Sequence, residues 1–116
     1  MIPPADASQR IQDACRRRPD LKFKTWPRKV PKPAPEHPTL LGYCYVATQA
    51  FCAVVPEAVP YCDDYRSHFW AVLDGKVWDL TDDQFTYRFP YEKGRPTKFP
   101  TLTARTKALL VEAKLA

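Results

Sequence analysis

The sequence predicts one α+β domain: a cysteine-bearing helix packed on a small antiparallel sheet, with flanking N- and C-terminal helices. Three observations predict it. Residues 44, 47, 48, 51, 52 and 55 are mostly apolar and recur at the spacing of a helix that buries one face. Two runs of β-formers, 68–73 and 76–81, flank Asp74-Gly75, a preferred two-residue hairpin turn. Both ends of the chain carry helical patterns, and 116 residues suffice for one core but not for two ordinary ones.

Taken in order, residues 6–18 form the first helix, with Asp6 or Ser8 as cap and Ile11, Ala14 and Cys15 on its apolar side. Pro19 ends it. Eight of the 13 prolines precede residue 40. The stretch from Pro27 to Pro38 can hold neither a helix nor a paired central strand, so an extended course over the surface is expected. Residues 1–40 therefore read as a basic, proline-rich arm with a short helix, and 41–116 as the core of the same domain. The second helix is expected over 43–55, with Thr39 and Gly42 at its start and Pro56 stopping it. Residues 57–66 read as a polar, proline-interrupted connection that leads into the hairpin. Beyond it, 81–85 reads as a turn with a capping carboxylate, and 86–100 as irregular and aromatic. A last helix over 102–115 places Leu102, Leu109, Leu110 and Ala113 on one side.

The net charge of +5 is unevenly spread: residues 1–40 carry +5, 41–90 carry −4 and 91–116 carry +4. Basic ends around an acidic centre could attract a nucleic acid or an acidic protein. A solvated surface accounts for the same distribution. The basic arm from Arg16 to Lys32 has Phe23 and Trp26 interleaved, but no recognised nucleic-acid motif accompanies them. No run approaches the length of a membrane span, and no apolar signal stretch stands at the N-terminus, so a cytoplasmic protein is expected. Free thiols are then favoured for Cys15, Cys44, Cys52 and Cys62, whose spacing contains no CxxC pair to suggest structural zinc.

The hairpin makes one constellation testable. A two-residue turn at Asp74-Gly75 pairs Leu73 with Lys76, Val72 with Val77, Trp70 with Asp79 and His68 with Thr81. All but the first of these pairs then share one face. His68 and Asp79 become diagonal neighbours, with β-carbons up to ~7–8 Å apart, close enough for the carboxylate to hold the imidazole. Cys44 lies in the first turn of its helix, facing the positive end of the dipole and nearby amide protons, a setting that activates thiols. Each residue has a duller reading: a small core cysteine, a histidine bridging backbone groups, an aspartate capping a turn or pairing with an arginine. Jointly, order, element type and face point to nucleophilic catalysis. Cys44 is the nucleophile, His68 the acid/base and Asp79 its orienter, with the Cys44 amide as one oxyanion donor. Gln49 lies about one turn along and is not expected to reach. Cys52 lies mid-helix, Cys15 sits beside Arg16-Arg17-Arg18, and Cys62 is a looser rival whose loop could approach His68. Trp70, sharing the face of His68, and Tyr43 and Tyr45, flanking Cys44, are the candidate substrate contacts.

Cys44, then His68-Phe69-Trp70-Ala71-Val72-Leu73-Asp74-Gly75, then Val77-Trp78-Asp79-Leu80-Thr81 resembles the papain-like and transglutaminase-like superfamily of cysteine enzymes, small papain-fold toxin domains included. The 23 residues between Cys44 and His68 are fewer than most such enzymes use, so the resemblance implies a minimal papain-like domain. From residue 40 onward, Gly42-Tyr43-Cys44-Tyr45-Val46-Ala47, the HFW and DLTDDQF segments and Tyr91-Glu92-Lys93-Gly94-Arg95 are similar to short uncharacterised proteins of bacteriophages. Those proteins carry His where Tyr43 stands, and often Glu where Gln49 stands. The resemblance implies a phage-encoded hydrolase or acyltransferase acting without a cofactor on an amide or thioester, of peptidase, deamidase or transglutaminase type. Its substrate would be a protein or peptide in the host bacterial cytoplasm. Two other readings stay open. One is a catalytically inactive phage protein that binds and modulates a host factor, since a scaffold does not fix a function. The other is a basic nucleic-acid-binding accessory protein.

Overall fold

The computed structural model describes residues 2–22, 40–65 and 67–116. The extended course expected for 27–38, the role of Thr39 and the aromatic residues of the basic arm, Phe23 and Trp26, lie outside the described residues. Helix α1 spans Pro4–Arg17 and starts ahead of the expected Asp6 or Ser8 cap. Pro4 explains the earlier start, because proline at the first helical position has a suitable φ and gives up no needed N–H. The helix buries Ala7, Ile11, Ala14 and Cys15. Helix α2, Cys44–Val54, buries Val46 and Gln49 besides the expected Ala47, Thr48 and Phe51. It is enclosed on several sides because α1, the sheet and helix α3 (Ala104–Glu112) all pack on it. Thr103 caps α3 by accepting from the Thr106 amide at 3.1 Å. Leu102 thus precedes the helix and is partly exposed instead of joining Leu109, Leu110 and Ala113 in the core.

The sheet is antiparallel throughout, with β1 (Val59–Asp63), β2 (His68–Leu73), β3 (Lys76–Trp78) and β4 (Arg95–Pro96) in the order β3-β2-β1-β4. Strand β1 corrects the reading of 57–66 as mere connection. Pro60 is tolerated there because its carbonyl accepts from the Thr97 amide at 2.9 Å, on the side away from β2. Its nitrogen points the same way, so the β1–β2 ladder loses no hydrogen bond to the proline. The short β4 likewise gives order to part of a segment expected to be irregular.

Strand β2 is buried on both faces, and Trp70 and Ala71 are both fully enclosed. On one face Ala71 joins the core under α2, where Phe51 stacks on Trp78 at 5.5 Å. On the other, Trp70 packs against Phe89 at 5.4 Å and Tyr91 at 5.2 Å, from the loop that follows β3. Gly94 closes this second layer, since a β-carbon there would run into the Trp70 ring. Gly94→Ala is therefore expected to lower the unfolding free energy by about 1–3 kcal/mol through overpacking. A urea melt checks this, and an unchanged midpoint would show that the ring or loop yields freely. No helix among the described residues is long and apolar enough to cross a membrane.

Candidate active site

Cys44 is the first residue of α2 because the turn before it is tightly specified. The Tyr43 amide donates to the Leu40 carbonyl at 3.1 Å, and Gly42 between them has φ 92°, a conformation that favours glycine. Tyr43 then fixes the entry, its hydroxyl donating to the Arg18 carbonyl at 3.0 Å. The Tyr43 side chain, at the N-cap, makes no capping bond to the amides of the first turn. Across from the thiol, Ser67 takes φ 52° and His68 opens β2 directly after it. This left-handed residue turns its carbonyl to the Cys44 thiol, which donates to it at 3.8 Å.

The Asp74-Gly75 turn sets the register as expected, with both residues at positive φ (51° and 74°) and Leu73 opposite Lys76, Val72 opposite Val77. The ladder then stops at Trp78, so the expected pairs Trp70–Asp79 and His68–Thr81 do not form. Asp79 ends the strand itself: its Oδ1 accepts from the Thr81 amide at 3.1 Å and the Thr81 hydroxyl at 3.4 Å, turning the chain out of the sheet. This turn delivers the carboxylate to the imidazole more closely than a diagonal ladder position would. His68 Nε2 and Asp79 Oδ2 are 2.7 Å apart, with the two side chains 2% and 3% exposed. Tyr91 donates its hydroxyl to the same Oδ2 at 2.7 Å. Phe85 and Phe89, each 4.8 Å from the imidazole between ring centres, and Trp70, stacked at 5.7 Å, complete the enclosure.

Electrostatics follow from this geometry. Burial pushes the His68 pKa down, but hydrogen bonding and charge from Asp79 and Cys44 outweigh it and raise the imidazole to about 9. The ring therefore carries its proton at neutral pH, between a carboxylate and a thiol. Burial raises the Cys15 and Cys52 thiols to about 12, and also raises Cys62. Asp82, close enough to feel both His68 and Asp79, is raised by partial burial and by Asp79 and Asp83.

The structure thus brings Cys44, His68 and Asp79 together and separates them from several other candidates. Trp70 and Tyr43 are buried, so neither can line an open cleft; Trp70 supports the imidazole and Tyr43 anchors the helix entry. Tyr45 is half-buried beside Cys44, edge-on to Phe69 at 5.1 Å and Phe99 at 4.9 Å, and is the candidate substrate contact that keeps an accessible edge. Gln49 is buried and joined to the approach of α3. It donates to the Thr101 carbonyl at 2.7 Å and accepts from the Thr103 amide at 3.3 Å and the Thr106 hydroxyl at 2.5 Å. All four cysteines are free thiols, with Cys15 and Cys62 buried. Sequence reasoning missed Tyr91 and Thr81. The Asp-Leu-Thr order was a signal for Thr81, because an aspartate readily caps the amide two residues on; Tyr91 stands in the Tyr91-Glu92-Lys93-Gly94-Arg95 segment of the resemblance, but nothing local ties it to this site. Among the described residues no group of three or more His, Cys, Asp or Glu side chains could hold a metal ion. No family model, curated protein or solved structure matches the chain.

Proposed function

We propose that the protein is a cysteine-dependent hydrolase or acyltransferase acting on an amide or thioester, on a minimal papain-like scaffold. One observation carries this reading: a buried imidazole, paired with Asp79 at 2.7 Å and raised further by the Cys44 thiol, stands at the N-terminus of the helix that Cys44 opens. The Cys44 thiol gives up its proton to solvent and, as the thiolate beside the protonated ring, attacks the substrate carbonyl, forming a C–S bond, while the Cys44 amide faces the developing oxyanion. His68 gives its proton to the departing amine or thiol as that bond breaks. The neutral imidazole next takes a proton from water, or from an acceptor amine, which attacks the thioester. The acyl group leaves as the acid or the new amide, and the thiolate and the protonated imidazole are restored. Asp79 orients the ring throughout and stabilises its cation. The resemblance to phage proteins supports a host protein or peptide as substrate, in the bacterial cytoplasm.

A peptidyl thioester offered to the full chain tests this, with mass spectrometry locating any acyl adduct. The adduct is expected on Cys44, and Cys44→Ala is expected to remove it together with turnover, a loss of about 10³-fold or more. Iodoacetamide is expected to label Cys44 first, by about tenfold or more over the three thiols held up by burial. Labelling led by Cys62 or Cys15 with Cys44 inert, or turnover surviving Cys44→Ala, would sink the reading.

A further inference from the structure

We propose that Tyr91 is a positioning residue for this site: its hydroxyl shares Asp79 Oδ2 with the imidazole, fixing the carboxylate and moderating its grip on the His68 proton. The inference rests on the cysteine chemistry proposed above. Four donors converge on one buried carboxylate. Thr81 supplies two of them to Oδ1, while His68 Nε2 and the Tyr91 hydroxyl both reach Oδ2 at 2.7 Å. A carboxylate held at both oxygens cannot rotate without breaking bonds in a setting where unpaired polar atoms are penalised. The ring so held is also the one on which the Cys44 side chain acts.

The hydroxyl is itself placed by the fold. Tyr91 opens a 3₁₀ turn, Tyr91–Lys93, closed by the Gly94 amide donating to the Tyr91 carbonyl at 3.0 Å. Its ring rests on Trp70 at 5.2 Å and Phe89 at 5.1 Å, and Gly94 seats the same turn against Trp70. Burial and then the bond to Asp79 raise the phenol, so it remains a proton donor and does not compete with His68 as an anion. Among the described residues the charged and titratable groups that act on the imidazole are Asp79, Cys44 and Asp82, and the other rings around it, Trp70, Phe85 and Phe89, carry no charge.

A carboxylate serving two donors binds each less strongly than it would bind one. A general acid that must release its proton gains from that moderation. Removing the hydroxyl should therefore tighten the Asp79–imidazolium pair. Tyr91→Phe keeps the ring and is expected to raise the His68 pKa by about half a unit to one unit, the scale of one charged hydrogen bond redistributed. An NMR titration of the full chain reads it, with His37 the only other histidine in the sequence. Fluorotyrosine at position 91, a stronger donor, is expected to move the same pKa down. It provides the test if Tyr91→Phe does not fold. In an Asp79→Asn background the Tyr91→Phe shift should vanish.

A His68 pKa that stays fixed or falls in Tyr91→Phe, with only a lower melting temperature, would overturn the proposal and leave Tyr91 a packing residue. The titration needs no turnover, so the two ideas can fail separately. A shifted His68 with no Cys44 adduct defeats the cysteine chemistry. A Cys44-dependent reaction with His68 unmoved defeats the role of Tyr91.

Discussion

His68→Ala is expected to abolish turnover and to weaken the fold by about 3–5 kcal/mol, because it leaves the Asp79 carboxylate buried without its cation. The partner side chain is only 3% exposed, so water cannot replace the lost imidazolium without opening the structure. A second contribution comes from the space vacated among Phe85, Phe89 and Trp70, which are locked against one another and can collapse only in part. His68→Gln separates the two effects. Its amide can donate to Asp79 and fill part of the gap, so much of the stability should return while turnover does not. Urea unfolding read beside the thioester assay checks both. An alanine variant as stable as the parent would mean that the pair is not energetically coupled in the folded state. This prospect sets His68 apart from Cys44, whose half-exposed thiol can be truncated with little effect on the core.

The parts of the site that were legible in the sequence are those written in local chemistry. Asp74-Gly75 demands a turn with two positive φ values, which sets the register of β2 on β3. Gly42 before Cys44 and Pro56 after Val55 bracket a helix start and stop, so the thiol's place at the N-terminus could be read directly. What could not be read depends on partners distant in sequence. Pro60 looked like a strand breaker because nothing local reveals that its nitrogen faces β4 and not β2. Trp70 looked like a cleft residue because alternation identifies a face without saying what covers it, and here residues 85–91 cover it. Asp79 and His68 meet through a side-chain turn after β3, and not through the continued pairing that the hairpin pattern predicts. The role of Tyr91 was hidden on the same grounds, since it exists only once the loop after β3 folds back over the sheet.

The His68–Asp79 pair also predicts how stability depends on pH. The folded imidazole titrates at about 9, above its ordinary value of 6.5, so the folded state holds a proton that the unfolded chain has released between those values. The contribution is thus fully present below pH 6.5, declines as pH rises through the window, and is gone above about 9. At about 1.4 kcal/mol per unit, the whole decline is roughly 3 kcal/mol. The window is favourable for measurement. The buried thiols of Cys15 and Cys52, raised from 9.0 to about 12, withdraw their own stabilisation only above the upper end. Urea melts at pH 6, 7.5 and 9 should therefore show a falling unfolding free energy, and Asp79→Asn should flatten most of it by removing the anion that holds the proton. A native profile as flat as that of Asp79→Asn would mean that the imidazole is neutral in the folded protein. The proton required by the leaving group would then have to come from elsewhere, so this stability measurement bears directly on the chemistry assigned to His68.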